Sequence, residues 1–312
     1  MPSYEDLKAL QNESLERKIL ISQARIIEWY LRYKAQVYVS FSGGKDSTVL
    51  LHMVRNMFPE VEAVFVSTGL EYPEIEKFIR TFDNVTILKP DMKFKDVISE
   101  YGYPVIGKEV SEAVWGARQG YESMKHKFDK DRKFNVNKYS YLLDAPFKIS
   151  HKCCNVMKKK PAKDFEKRSG KKAIIGTMTE ESQLRQTAWM KSGCNSFDGK
   201  REVSMPMSFW TEQDVLHYLQ RFEIPYCSVY GEILNKSEFA GQLSIDEIPT
   251  DLMMSKCDRT GCMFCLFGIN HDTEPNRMQR MKLTHPKQYD YCIREENGLG
   301  IGKVLDFINV KY

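Results

Sequence analysis

Val37-Tyr38-Val39-Ser40-Phe41-Ser42-Gly43-Gly44-Lys45-Asp46-Ser47-Thr48-Val49-Leu50-Leu51 is the stretch whose reading decides the fold. Val37 to Val39 is a short β-rich run. The adjacent glycines permit a sharp turn and a close backbone approach to a ligand. Val49, Leu50, Met53, Val54 and Met57 follow at helical spacing, so the order is strand, tight turn, helix. Amides at the start of such a helix point at an anion, helped by the helix dipole. Ser42, Ser47 and Thr48 add hydroxyl donors, and Lys45 adds positive charge. Asp46 suits either a helix cap or a Mg²⁺ ion. The four-residue gap and terminal Gly-Lys-Ser/Thr of a Walker A loop are absent. The stretch reads as a phosphate-gripping loop.

Outward from the loop, strands and helices alternate. Residues 5–34 read as one helix, with Leu20, Ala24, Ile27 and Leu31 along its apolar face. Ala63-Val64-Phe65-Val66-Ser67 is a second strand, broken at Thr68-Gly69. Pro73 suits the first turn of a helix faced by Ile75, Phe78, Ile79 and Phe82. Val85 to Leu88 is a third strand and Ala173 to Ile175 a fourth. Thr177 and Glu180 have the spacing of a capping box, and Thr211 to Gln220 is a further capped helix. This alternation predicts an α/β fold, a parallel twisted sheet with helices on both faces. Ligands of such sheets bind at the carboxyl ends of strands, where Ser42, Thr68 and Gly176 fall. Residues 116–150 read as an irregular helical insert rich in aromatics. Beyond Pro225 the pattern loosens, with Gly231, Gly241, Pro249 and a group of cysteines, as in a small metal-stapled unit.

Bulk composition narrows the class. The chain has 312 residues, 42% hydrophobic and 28% charged, close to ordinary globular usage. No apolar run reaches bilayer-spanning length. The first ten residues lack the apolar core of a signal peptide, so a cytoplasmic protein with no membrane partner is expected. A net charge of +4 does not by itself argue for nucleic acid. Between Lys152 and Lys172, however, nine Lys or Arg accompany only Asp164 and Glu166. That segment reads as a phosphate-facing patch or as a solvated helix face.

Eight cysteines in such a chain suggest metal binding, catalysis or burial rather than disulfides. Cys262-Met263-Phe264-Cys265 is a C-x-x-C pair, and Cys153-Cys154 is a tandem pair far upstream. Thiolates in this pattern bind Zn²⁺ or an iron–sulfur cluster. A tandem pair is awkward around one tetrahedral ion and suits the wider face of a [4Fe-4S] cube. Buried structural thiols are the alternative. Cys257, five residues before Cys262, could replace one of the tandem pair, while Cys194, Cys227 and Cys292 read as structural. Lys158 and Arg259 read as cations near the site or as plain surface charges.

The segment SFSGGKDSTVLL resembles the PP-loop of the N-type ATP pyrophosphatases, and particularly of the phosphoadenosine phosphosulfate (PAPS) reductase family. Ser67-Thr68-Gly69-Leu70-Glu71-Tyr72-Pro73-Glu74 is similar to that family's second nucleotide segment, and Met205 to Val215 to a later helix entry. The resemblance spans roughly residues 20–290 and implies the adenine nucleotide alpha hydrolase-like fold. It implies an adenine nucleotide, ATP with Mg²⁺, held by Ser40, Ser42, Gly43, Gly44, Lys45, Asp46, Ser47, Thr68, Gly69, Glu71 and Gly176. The cysteines resemble those of iron–sulfur sulfonucleotide reductases, in which Cys-Cys is followed by a Lys and later by C-x-x-C; Lys158 stands four residues past Cys154. That implies a [4Fe-4S] cluster on Cys153, Cys154, Cys262 and Cys265, with Lys45, Asp46 and Lys158 as catalytic groups. A nucleotide domain over 1–220, carrying the 116–150 insert, and a cluster-binding unit over 221–312 are expected.

Two departures bear on the reaction. The tail Lys303 to Tyr312 lacks the nucleophilic cysteine of the reductases. Met178 and Thr179 stand where paired arginines grip the phosphosulfate, with Arg185 nearby but displaced. The expectation is an ATP pyrophosphatase that adenylates a substrate, DNA or tRNA, and supports sulfur transfer. Enzymes of DNA phosphorothioation and tRNA thiolases are similar in that respect. A diverged sulfonucleotide reductase and a non-catalytic nucleotide-binding regulator are the alternatives. A cysteine desulfurase or a thioredoxin-like donor is the implied protein partner, and the oligomeric state is left open.

Overall fold

The computed structural model describes residues 2–133, 135–199, 201–236 and 251–312; Gly241 and Pro249, expected in the loosened C-terminal pattern, lie outside them. Two compact units emerge. The first comprises Met1–Val66, Tyr72–Leu88 and Lys163–Thr260, the second Ser67–Glu71, Lys89–Ala162 and Gly261–Tyr312.

In chain order the first unit begins with α1 (Tyr4–Gln11) and α2 (Leu15–Arg32), then β1 (Val37–Ser40), α3 (Lys45–Met57), β2 (Glu62–Val66), α4 (Pro73–Ile79) and β3 (Val85–Leu88). The second unit supplies α5 (Phe94–Tyr101), β4 (Val105–Ile106), α6 (Lys108–Arg118) and α7 (Glu122–Lys125). After α8 (Lys160–Ser169), the first unit continues with β5 (Lys172–Ile175), α9 (Gln183–Ser192), β6 (Asn195–Ser196), β7 (Val203–Ser204), α10 (Glu212–Arg221), β8 (Ile233–Asn235) and β9 (Leu252–Met254). Strand β10 (Leu266–Phe267) pairs in parallel with β4 in the second unit.

The main sheet has six strands in the order β3-β2-β1-β5-β7-β6. All neighbours are parallel except β6 with β7. The chain runs outward from β1 through β2 to β3, then resumes at β5 on the other side of β1. The order therefore reverses between β1 and β5, the switch point at which such sheets bind ligands. One face, with Val37, Val39, Ala63, Phe65 and Ile174, is covered by residues of α2, α3, α4 and α10. On the other, Tyr38, Val64 and Ala173 pack with Phe165 of α8. The expected parallel sheet with helices on both faces is what forms.

Local departures have physical reasons. The expected single helix over 5–34 is two helices, because Ser14 caps α2 by accepting from the Arg17 amide. Leu20, Ile27 and Leu31 are 58%, 40% and 67% exposed. The buried face instead carries Ser22, Ile26 and Trp29. Small Ser22 permits close packing: its hydroxyl donates to Pro206 O at 2.8 Å and accepts from Trp210 Nε1 at 2.9 Å. Helix α4 ends at Ile79, so Phe82 lies beyond it, although its ring still packs on Phe41. The helix after β5 is capped by Ser182, not by the expected Thr177 and Glu180. Thr211 with Asp214 does form the capping box of α10. The 116–150 insert is irregular and helical, with α7 followed by short 3₁₀ turns at His126–Phe128 and Asn137–Asp144. No helix of the described residues is long and apolar enough to cross a membrane.

Candidate functional site

The expected site residues fall into two groups, one in each unit. The first surrounds the loop between β1 and α3. Gly43 has φ +71°, and a Cβ there would lie 2.9 Å from Ile75 Cγ2, so the turn requires glycine. Gly44 precedes α3 and provides no side-chain cap. The hydroxyls stitch the loop to itself: Ser47 Oγ and Thr48 Oγ1 donate to Gly44 O at 2.9 and 3.0 Å, and Ser42 Oγ lies 3.0 Å from Ser47 Oγ. Ser40 ends β1 opposite Ile175 of β5. Gly176 follows directly, and a Cβ there would come within 3.2 Å of Asp46 O. Ser40, Gly176 and the loop thus meet at the switch point.

Lys45 is only 3% exposed. Its Nζ donates to Asp258 O at 2.6 Å and pairs with Glu212 Oε1 at 3.1 Å. Asp46 Oδ1 is 3.8 Å away from it. The Lys45 amide donates to the Tyr230 hydroxyl at 3.1 Å, and that hydroxyl also bonds Thr260 Oγ1 at 2.7 Å. Asp46 Oδ1 is buried and has no hydrogen-bond partner. Burial raises the Asp46 carboxyl above the usual carboxylate range; Lys45, Arg259 and Arg185 act against that rise, and Glu212 adds to it. Arg185 and Arg259 both pair with Glu181, the latter at 3.4 Å. Burial, and then Arg259 beside it, lower Arg185 below the ordinary arginine value.

Sequence reasoning missed Tyr230, Asp258, Thr260, Glu181 and Glu212. For Glu212 there was a signal, since the capping box places it in the first turn of α10. Tyr230 and Asp258 carry no local pattern that relates them to residue 45.

The second group lies in the second unit. Cys153 and Cys154 begin a helical segment that widens to a π-helical turn over Asn155–Lys159, a form often found at functional sites. Cys262 and Cys265 close a tight turn in which the Cys265 amide donates to Cys262 O at 3.1 Å. The thiols act on one another. A hydrogen bond with Cys154 raises Cys153, with burial, Cys154, Cys262 and Cys265 adding to it. The same hydrogen bond lowers Cys154 to about 6; burial opposes this, and Lys158 and Lys108 assist it. Burial raises Cys262, and raises Cys265 to about 11. Lys108 opens α6 just after Ile106, a buried β-branched residue at φ +62°. There the Gly107 amide bonds Val105 O at 2.7 Å, a strained three-residue turn.

Lys158 is close to this group. Burial opposes its charge, yet Cys262 and Glu71 hold it above the ordinary lysine value. Among the described residues, no three His, Cys, Asp or Glu side chains are placed to hold a single metal ion. As a donor set, four mutually interacting soft thiols fit an iron–sulfur cluster. Cys257 belongs to the first unit and its thiol donates to Arg259 O at 2.8 Å. Cys194, Cys227 and Cys292 are buried. Thr68, Gly69 and Glu71 belong to the second unit rather than to the loop's.

Much of the basic 152–172 segment is already neutralised. Lys160 pairs with Asp91, Lys171 with Glu62 and Lys172 with Glu202. Lys160, Lys163, Asp164, Lys167 and Arg168 form the exposed face of α8.

A mostly parallel sheet with helices on both faces and a glycine-turned loop at its switch point defines the class, an α/β protein. The model of the phosphoadenosine phosphosulfate reductase domain matches residues 36–266, and the chain belongs to that family. It is 22% identical over 213 residues to the adenosine 5'-phosphosulfate reductase of Staphylococcus epidermidis, covering 66% of this chain and 70% of that one. An uncharacterised protein of Methanocaldococcus jannaschii is 26% identical over 265 residues, covering 84% of this chain and 41% of the relative. Among solved structures, a PAPS reductase of Candida auris in its phosphate complex aligns with a TM-score of 0.40 at 15% identity, covering 84% of this chain and 98% of that one. A U34-tRNA thiolase of Methanococcus maripaludis with its [4Fe-4S] cluster aligns at 0.36 and 13%, covering 95% and 82%.

Proposed function

We propose that this protein is an ATP pyrophosphatase of the PAPS reductase family that adenylates a nucleic acid, DNA or tRNA, ahead of sulfur transfer. The observation that carries this reading is the buried, unpartnered Oδ1 of Asp46 in the first turn of α3. An orphaned carboxylate oxygen beside a phosphate loop is a natural ligand for Mg²⁺. Glu212 pairs with Lys45 of the same loop, and Glu181 with Arg185 and Arg259. Phosphates entering there meet carboxylates that a divalent ion offsets. ATP arrives with such an ion.

In the reaction, a substrate oxygen attacks the α-phosphorus of ATP. The bond to the bridging oxygen breaks, pyrophosphate leaves, and the attacking group's proton passes to solvent. Lys45 and the loop amides stabilise the negative charge that develops on the leaving pyrophosphate. A sulfide-equivalent nucleophile then forms its bond to the activated centre and AMP departs, with no net oxidation. Cys153, Cys154, Cys262 and Cys265 would hold a [4Fe-4S] cluster, which supplies a place to bind sulfur when present. Lys163, Lys167 and Arg168 on the exposed face of α8 offer contacts to a phosphate backbone. The sulfur would come from the persulfide of a cysteine desulfurase, brought to the sulfide level by two electrons from a thiol reductant.

A second reading, a diverged sulfonucleotide reductase served by a thioredoxin-like donor, is favoured by the names of the curated relatives. Anaerobically purified, iron-replete protein is incubated with ATP, with adenylyl sulfate and with PAPS. Formation of AMP and pyrophosphate from ATP, stimulated by DNA or tRNA, is the expected result. Sulfite release from a sulfonucleotide overturns it.

A further inference from the structure

The insert over 116–150 has no part in the proposed reaction, yet it holds the chain's surplus charge. It carries eight Lys or Arg against four Asp or Glu, an excess equal to the +4 of the whole chain, so the other residues balance. Six of those cations fall between Lys125 and Lys138, with only Asp129 and Asp131 as acids. Lys125 and Lys127 are engaged by Glu122 and Glu109, at 2.6 and 3.1 Å. Lys130, Arg132, Lys133 and Lys138 are exposed.

These four cations stand on a braced loop. Its ends are closed, since the Val136 amide donates to Lys127 O at 2.8 Å and Asn137 Nδ2 donates to Phe128 O at 2.6 Å. Inside it, Asn135 Nδ2 donates to Lys130 O at 3.2 Å and to Arg132 O at 2.7 Å. The braces use main-chain groups and asparagine amides, so none of them consumes a cation. A merely solvated run of charge would leave those backbone groups to water. A compact loop closed at its base is a frequent functional form.

The root of the loop is bonded to the segments that bear the thiols. Arg118 donates to the carbonyls of Leu142, Ala145 and Phe147 at 2.8, 2.7 and 2.7 Å. The Tyr103 amide donates to Lys148 O at 2.9 Å, just before Cys153 and Cys154. Asn270, shortly after Cys265, donates through Nδ2 to the Tyr139 hydroxyl at 3.3 Å. Rings accompany the charges. Lys138 Nζ lies 4.8 Å from the centre of the Tyr139 ring, and Tyr121 and Tyr141 are 52% and 41% exposed. Cations that follow a phosphate backbone, interleaved with rings on which bases stack, suit a single nucleic-acid strand.

We propose that the insert is a binding site for a single nucleic-acid strand, with Lys130, Arg132, Lys133 and Lys138 on its phosphates and Tyr121 and Tyr141 against its bases. The inference rests on the nucleic-acid reading made under the proposed function. A duplex keeps its base faces stacked on one another, so it engages the cations alone.

The test is fluorescence anisotropy of a labelled single-stranded oligonucleotide, titrated with full-length, iron-replete protein between about 50 and 200 mM salt. The single strand should bind more tightly than the duplex of the same sequence. The triple variant Lys130→Ala, Arg132→Ala, Lys133→Ala removes no brace. It should bind about tenfold more weakly, and its slope of log affinity against log salt should be shallower by about two, at about 0.7 for each lost phosphate contact. The double variant Tyr121→Ala, Tyr141→Ala should lose affinity with the slope unchanged, because a ring releases no counterions. Wild-type affinity and slope in the triple variant overturn the inference, as does tighter binding of the duplex or unchanged affinity in the tyrosine variant. If the tyrosine variant melts early, the duplex comparison decides in its place. Displacement of the strand by polyglutamate at equal charge concentration assigns the loop to an acidic protein and also overturns the inference. Loop-dependent binding in protein that forms no AMP from ATP keeps this inference while the proposed reaction falls. Strand-stimulated AMP formation that is undiminished in the triple variant does the reverse.

Discussion

Lys45 Nζ lies 2.6 Å from the main-chain carbonyl of Asp258, 213 residues away in sequence. The cation at the head of the phosphate loop is thus anchored to the short segment that ends at Thr260. Thr260 is itself tied to the loop through Tyr230, whose hydroxyl accepts from the Lys45 amide. An incoming phosphate competes with Asp258 O and Glu212 for the same ammonium group.

Lys45→Met should leave the sheet intact and remove the cation that meets the leaving pyrophosphate. AMP formation from ATP should fall by about 10²–10³-fold, the usual loss of one preorganised charge donor. Lys45→Arg should not rescue it, because a planar fork does not fit a site built around a point charge. Steady-state AMP assays measure both, and near-wild-type turnover in Lys45→Met would remove Lys45 from the chemistry.

Asp46→Asn should stabilise the protein and disable it. The folded carboxyl is raised above its ordinary value of 3.8, chiefly by burial. The neutral form is therefore the one the fold favours. The stability cost is absent below the unfolded pKa, grows as pH rises toward the folded pKa, and is constant above it. Without nucleotide, the variant should melt above the wild type at pH 7, and the gap should close toward pH 4. Its Mg²⁺-dependent ATP affinity should drop at least tenfold in calorimetric titration. A variant less stable than wild type at pH 7 would contradict this account of Asp46.

Gly43→Ala and Gly69→Ala separate two costs. Both glycines have positive φ, +71° and +74°. Only at Gly43 does an added Cβ meet a neighbour, Ile75 Cγ2 at 2.9 Å; at Gly69 nothing lies within 4 Å. Gly69→Ala should cost about 1 kcal/mol from the backbone alone. Gly43→Ala should cost about 1–3 kcal/mol more from overpacking. Urea unfolding of the two variants gives the comparison, and equal losses would show that the Ile75 contact relaxes freely.

Serine substitutions test the thiol assignment. Replacing Cys153, Cys154, Cys262 or Cys265 should abolish the broad visible absorbance and the bound iron, whereas Cys257→Ser should keep both. Zinc without iron in the anaerobically purified wild type would refute the cluster.

The loop, the alternating strands and the cysteine inventory were legible in the sequence because each is written in consecutive residues. A glycine turn, a capping box or a C-x-x-C spacing needs no distant partner to have meaning. The capped helix expected from Thr211 formed for this reason, and the strands expected at 37–39, 63–67, 85–88 and 173–175 appear at 37–40, 62–66, 85–88 and 172–175. Tertiary structure decided which residues surround those local devices. Leu20, Ile27 and Leu31 had helical spacing, but the buried face of α2 went to Ile26 and Trp29, because small Ser22 lets that face pack closely. Glu71 was readable as a nucleotide contact, yet only folding set its carboxylate between Thr68 and Lys158. The loop itself was clear from six residues. That Tyr230, Asp258 and Glu212 hold its lysine was not, because hydrogen bonds between residues 167 to 213 positions apart follow from packing and leave no period in the sequence.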